Sequence, residues 1–259
     1  MPKCCTVGLP RCSSRPSLER MFDERALVLQ ELRSRMGTVT PGSAPETGKV
    51  IPVALPLAAA LPRGGLAAGS VVSVLGQGAT SLLFALLSGP PDAWSALVGM
   101  PGIGLAAAAE FGVDLNRVVV IPEPGPDVLQ VLSILVDGVD MIAVALPDSA
   151  RPSPSRQRVL TGRLRQRGAV LLVMGPWPGA DLVLTARWVS WAGLDHGHGR
   201  LRDRELMVEV GGRGAAAART YRASLLLRAG RTSVEIAAAP APVAARVQPD
   251  AYAPVADVG

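Results

Sequence analysis

From Val50 onward the chain alternates short, unbroken apolar runs with stretches whose apolar residues recur at helical spacing. Val71–Leu75 (VVSVL) reads as a strand, followed by a glycine-containing turn and a helix over Thr80–Leu87. The pattern then predicts a strand at Trp94–Val98, a short helix at Leu105–Phe111, a strand at Val118–Ile121 and a helix at Asp127–Val136. A strand at Met141–Leu146, an Arg-rich helix near Ser155–Arg167 and a strand at Ala169–Met174 follow. These strands are nearly continuous apolar runs, broken only by Ser73 and Ser95, rather than apolar at alternate positions, as expected when helices cover both faces of a parallel sheet. The expected core is α/β of the doubly wound kind. Past Trp177 the texture changes. Leu184–Trp191, Leu206–Val210, Arg219–Leu227 and Ser233–Ile236 read as strands joined by Gly-rich turns, hence as hairpins that extend the sheet. No internal repeat is visible.

The first part of the chain is organised differently. Residues 1–16, rich in Cys, Pro, Arg and Ser, read as a disordered leader. Ser17 can cap a helix running to Met36, along which Leu18, Met21, Phe22, Leu29, Leu32 and Met36 share one face, and Gly37 ends it. A Pro/Gly/Thr/Ser linker completes the segment 17–49. The expected core spans 50–236, and the Ala/Pro/Val-rich residues 237–259 read as a disordered tail.

Composition narrows the class. The chain has 259 residues, is 49% hydrophobic and 18% charged, and so can bury one sizeable core. Aromatics make up only 3%, which leaves the core to Ala, Val and Leu. The net charge of +5 invites a nucleic-acid reading. Lysine occurs only at Lys3 and Lys49, however, and the arginine excess alongside Ala, Gly, Val and Pro fits a GC-rich coding bias equally well. Cys4, Cys5 and Cys12 have neither C-x-x-C nor zinc spacing. Arg11 and Arg15 break up any secretory apolar stretch, and no run is long enough to span a bilayer. The expected location is the cytoplasm, with no membrane contact.

The chemistry-bearing segment is Ser70–Leu87. It has the layout of a phosphate-binding loop: strand, glycines, hydroxyls, helix. A working G-x-x-x-x-G-K-[ST] loop cradles phosphates with its amides, neutralises charge with its Lys and holds Mg²⁺ with its hydroxyl. Here Gly76 and Gly78 are one residue apart, Ala79 stands where the Lys would be, and Thr80 and Ser81 follow. Loss of a single preorganised donor typically removes about 3–4 kcal/mol of transition-state stabilisation. No catalytic residue and no cofactor are expected. Taken alone, Gly-x-Gly before a helix is also simply a tight turn.

The surroundings of that turn resemble the RecA family. Leu61–Gly69 (LPRGGLAAG) followed by VVSVLG is similar to the approach to that family's nucleotide site. The stretch EFGVDLNRVVVIPEPGPDVLQVLSILVDGVDMIAVALPD is similar to its strand–helix–strand run toward the Walker B position. The likeness covers roughly Ile51 to Met174. Carried over by position, the family's catalytic Glu falls at or near Pro101, its Walker B Asp at Ala145 and its nucleotide-sensing Gln at about Gly175. With Ala79, four chemical positions are small or apolar, so the resemblance implies a RecA-like core that has lost its ATPase chemistry.

Among non-enzymatic relatives the chain resembles the RecA-like accessory proteins of bacterial inducible-mutagenesis cassettes, the ImuA type and its degenerate ImuA-prime form. That resemblance implies a role in damage-induced translesion synthesis. The implied partners are an ImuB-type, catalytically inactive Y-family polymerase relative and an error-prone C-family DNA polymerase subunit. Two alternatives stay open: a SulA-like cell-division inhibitor, which shares the fold, and a weak RecA-like ATPase acting on single-stranded DNA.

Three surfaces are candidates for binding. Arg156, Arg158, Arg163, Arg165 and Arg167 form a basic patch for DNA phosphates or an acidic partner, or else the solvated face of a surface helix. On that helix Arg156, Arg163 and Arg167 share a face, while Val159, Leu160 and Leu164 can meet the sheet. Phe22, Leu29 and Leu32 on the N-terminal helix are candidates for self-association or partner docking. Trp188 and Trp191 lie three apart in ARWVSWAG, so a regular strand points them to opposite faces and buries at most one. His196 and His198, beside Asp195, lack the further ligand a metal site needs.

Overall fold

The computed structural model describes residues 48–147, 152–195, 198–213 and 221–239. The expected leader, the N-terminal helix with Phe22, Leu29 and Leu32, the three cysteines, His196 and residues 240–259 of the expected C-terminal tail lie outside the described residues, while Ala237 and Ala238, expected in that tail, belong to a strand. The chain divides into two compact units, Met1–Gly42 and Ser43–Gly259, and every described residue belongs to the second.

A short two-stranded ribbon opens this unit. Strands β1 (Val50–Pro52) and β2 (Gly65–Ala67) pair antiparallel, with helix α1 (Leu55–Ala58) between them. Gly65 permits the pairing, because a β-carbon there would lie 2.5 Å from the Ile51 carbonyl oxygen.

The main sheet has nine strands. Its parallel part contains β3 (Val71–Leu75), β4 (Ser95–Val98), β5 (Val118–Ile121), β6 (Met141–Val144) and β7 (Val170–Met174), together with the first residues of β8 (Leu182–Asp195). Strands β9 (His198–Gly212), β10 (Tyr221–Ala229) and β11 (Val234–Ala238) continue it antiparallel. The spatial order is β11-β10-β9-β8-β3-β7-β6-β4-β5. The fold class is therefore mixed α/β: a mainly parallel sheet between helices, lengthened by C-terminal hairpins.

Burial on both faces explains the unbroken apolar strands. Val72 and Val74 of β3 join a large apolar cluster with Leu57 of α1 and with helix α2 (Ala79–Leu87). Every residue of α2 from Leu82 to Leu87 is buried, as in a helix enclosed on all sides. Phe84 meets Phe111 there, with ring centroids 5.7 Å apart. Ala108 of helix α3 (Leu105–Glu110) belongs to the same cluster. Leu132 of helix α4 (Val128–Leu135), and Leu160 and Leu164 of helix α5 (Pro154–Arg167), are buried outside it, against the other face. Helix α5 starts with Pro154 after Ser153 and stops at left-handed Gly168, whose N–H bonds to the Leu164 carbonyl.

Asp181 holds β8 to β3 at their starts. Its carboxylate accepts the Val71 N–H at 2.9 Å, and its own N–H donates to the Val71 carbonyl at 2.8 Å. This linkage aims β8 up along β3, toward the glycine turn.

Candidate functional site

The turn after β3 is closed against protein. Gly76 has a φ of +93°, and a β-carbon on it would lie 2.1 Å from the Ala186 carbonyl oxygen. Gly78 is buried, and a β-carbon there would meet the Leu206 Cδ1 at 2.1 Å. The Gly78 N–H donates to the Ala186 carbonyl at 3.2 Å, and the Ala79 N–H to the Gly76 carbonyl at 3.2 Å. Two amides that an open phosphate loop would direct at a ligand are thus bonded within the protein. The glycines serve a close approach between the turn and strands β8 and β9. Thr80 is exposed and Ser81 half-buried at the start of α2.

The other positions compared with nucleotide chemistry sit at the ends of the parallel strands. Pro101 is exposed beyond β4. Ala145 follows β6, where its N–H donates to the Val98 carbonyl at 3.0 Å. Gly175, with a φ of +139°, follows β7 and donates to the Val74 carbonyl at 3.1 Å. Beside it the Trp177 N–H donates to the buried Ser73 hydroxyl at 3.0 Å. Ala145 and Gly175 adjoin strands β6 and β7 that lead toward β3, yet they bring no carboxylate and no amide side chain to its end.

The glycine-rich stretch before β3 serves packing too. Gly69 has a φ of +79°, and a β-carbon there would lie 2.7 Å from the Arg165 Cα, so α5 rests directly on it.

On α5 the arginines divide. Arg163 Nη2 lies 2.7 Å from Asp137 Oδ2, and Arg167 Nε lies 3.1 Å from Asp137 Oδ1, so one carboxylate after α4 draws both guanidinium groups. Arg165 approaches Asp181 at 3.7 Å. Arg156 and Arg158 are exposed in the first half of the helix. Val159 does not meet the sheet: it is 66% exposed, while Leu160 and Leu164 carry the packing. Adjacent positions on a helix point about 100° apart, and on α5 Leu160 takes the buried place.

The tryptophans also depart from expectation. They lie on the same face. Strand β8 shifts register between Trp188, opposite Leu206, and Ser190, opposite Glu205, so that Val189 is a bulge residue. The extra residue turns a spacing of three into an effective spacing of two. The indole centroids are 5.1 Å apart, and the Arg204 guanidinium lies over both, 5.3 Å from the Trp188 ring and 5.9 Å from the Trp191 ring. Burial lowers the Arg204 pKa, while the Glu110 carboxylate opposes that shift. Trp188 packs against the core cluster and Trp191 stays 49% exposed. Arg204 was not among the expected site residues. The alternation of β9 could have placed it on the tryptophan face only once the bulge was known.

Among the described residues no group of three or more His, Cys, Asp or Glu side chains could hold a metal ion. No helix among them is long and apolar enough to cross a membrane. A small cavity of about 30 Å³, lined in part by Ser88, Pro90, Ser95 and Val118, lies at the opposite end of the parallel strands from the glycine turn.

The family model described as the MT3502 N-terminal domain matches residues 59–179, from just after α1 to just past β7. The chain is 35% identical over 175 residues to the uncharacterized protein Rv3395c of Mycobacterium tuberculosis, a match that covers 65% of this chain and 80% of that protein.

Proposed function

Since the chain belongs to the family of the mycobacterial protein Rv3395c, we propose that it is a non-catalytic accessory subunit built on a degenerate RecA-like core. In this reading it binds partner proteins in a DNA-damage-induced translesion synthesis complex in the cytoplasm. The partners are an ImuB-type inactive polymerase relative and an error-prone C-family polymerase subunit.

One observation carries the non-catalytic part. The amides of Gly78 and Ala79 are engaged by Ala186 and Gly76, on a turn that has Ala79 in place of a cationic side chain. Phosphoryl transfer depends on positioned charge and little else, and this turn offers none. Support for a RecA-like core comes from the sheet, in which the strand that feeds the turn is central and antiparallel hairpins extend one side. The mutagenesis role rests on resemblance in sequence.

Two measurements test the reading. Titration with labelled Mg-ATP is expected to give no saturable binding at millimolar nucleotide. Magnesium-dependent γ-phosphate release that disappears in Thr80→Val would overturn it. A pull-down from DNA-damaged cells is expected to recover polymerase subunits, whereas recovery of the tubulin-like division protein would replace this reading with the cell-division inhibitor.

A further inference from the structure

Strands β8 and β9 run on past their neighbours. Strand β3 pairs with β8 only over Leu182–Thr185, and β10 pairs with β9 only over Asp203–Val210. Past Thr185 strand β8 pairs with β9 alone, and past Ala192, opposite Asp203, the two strands pair only with each other among the described residues, forming an arm beyond the end of the parallel sheet. Its outer part has a defined shape. Gly193 (φ +112°) and Gly199 (φ +121°) occupy places where a β-carbon would lie 2.2 Å from the Arg200 carbonyl oxygen and 2.5 Å from the Gly193 carbonyl oxygen, respectively.

The arm gathers the surface's exposed apolar groups. Of the seven large apolar side chains exposed among the described residues, four lie on it: Val189, Trp191, Leu194 and Leu201. Such a concentration of exposed apolar groups on one hairpin marks a contact surface. Arg187, Arg200 and Arg202 are exposed around these groups. From Arg187 to Arg204 the sequence holds four arginines against two aspartates.

We infer that the arm is the chain's docking element and that its occupant is a protein presenting an apolar groove rimmed by carboxylates. The inference rests on the accessory-subunit reading and gives it a surface. Charge complementarity selects the acidic rim, and the aliphatic groups select a groove. Trp191, braced by Trp188 and Arg204, is the rigid anchor of the kind that dominates protein interfaces. Single-stranded nucleic acid fits less well. Base stacking needs an open ring face, whereas Arg204 lies over both indoles and Val189, Leu194 and Leu201 have no stacking face.

The test uses the full chain and, as probe, the purified inactive polymerase relative named above, with binding followed by interferometry. Trp191→Ala and Leu194→Ser are each expected to weaken binding by about thirty-fold, a hot-spot effect. The pair Arg200→Glu and Arg202→Glu should weaken it further and flatten its salt dependence. Arg156→Glu with Arg158→Glu, on α5, should leave it unchanged. All these positions are exposed, and circular dichroism checks that each variant folds. Wild-type binding that the arm variants do not alter overturns the arm assignment and leaves the accessory reading intact. Failure of the wild type to bind removes that reading and the arm's occupant with it. A labelled oligothymidylate that binds the wild type and is lost in Trp191→Ala overturns the protein occupant in favour of nucleic acid.

Discussion

Gly76 and Ala186 meet backbone to backbone: a β-carbon on the glycine would stand 2.1 Å from the alanine's carbonyl oxygen. The glycine turn after the central strand is therefore a packing joint, and β8 is the element it joins.

Substitutions in the joint should differ in a graded way. Gly76→Ala places a side chain at positive φ, which costs about 1–2 kcal/mol for an L-residue, and drives it into backbone that cannot move aside. A total loss of at least about 3 kcal/mol is expected, in the range reserved for named structural faults. Gly78→Ala meets side-chain atoms alone, the Leu206 Cδ1 at 2.1 Å and the Ala186 Cβ at 3.3 Å. Overpacking of that kind costs about 1–3 kcal/mol. Urea unfolding of the two variants measures both, and equal midpoints would remove the distinction between backbone and side-chain obstruction.

Much of the sheet was legible in the sequence because its strands are buried on both faces. VVSVL at Val71–Leu75, buried but for Leu75, and VVVI at Val118–Ile121, half-buried at the sheet edge, form strands with the predicted bounds, since a short run dominated by β-branched residues has few other places to go. The glycine turn was legible as chemically empty, but its contact with Ala186 is a contact across 110 residues and leaves no local trace. The same holds for Asp137, which lies 26 and 30 residues from the arginines it draws in. The β1–β2 ribbon escaped notice because each strand is three residues long and one contains Pro52. Val189 escaped for another reason: a bulge leaves the spacing of side chains in the sequence untouched while changing which of them share a face.

Restoring the missing cation should not restore nucleotide binding. Ala79→Lys supplies one positive charge, but the Gly78 and Ala79 amides stay bonded within the protein and Ala145 still offers no carboxylate to hold Mg²⁺. Mg-ATP affinity by calorimetry is expected to stay undetectable. A micromolar dissociation constant in this variant would mean that the turn opens readily, and the joint would have to be regarded as a gate.

Asp137→Asn isolates the ionic contribution on α5. The carboxylate serves Arg163 and Arg167 at side-chain exposures of 36–42%. Exposed pairs of this kind are each worth about 0.2–1 kcal/mol, so losing two of them should lower the unfolding free energy by about 0.4–2 kcal/mol. In 1 M salt, where the screening length falls to about 3 Å, the difference from wild type should shrink. With two guanidinium groups released, retention on heparin should rise. A loss independent of salt would assign Asp137 a packing role instead.

The bulge makes the sharpest test of the tryptophan cluster. In a regular strand, residues three apart point to opposite faces, and the Trp188–Trp191 contact exists because Val189 is an additional residue in β8. Deleting Val189 leaves Trp-Ser-Trp in plain alternation, with both indoles still on the Arg204 face and Ser190 still opposite Glu205, to whose carboxylate its hydroxyl donates at 3.1 Å. The exciton couplet of the indole pair in circular dichroism is therefore expected to survive that deletion, with a change only in the twist of the arm. Deleting Val189 and Ser190 together makes the tryptophans neighbours on opposite faces, and the couplet should vanish while the core, which ends at Trp188, stays folded. If the single deletion abolished the couplet, Val189 would be a regular strand residue, and the anchor on the arm would lose its structural basis.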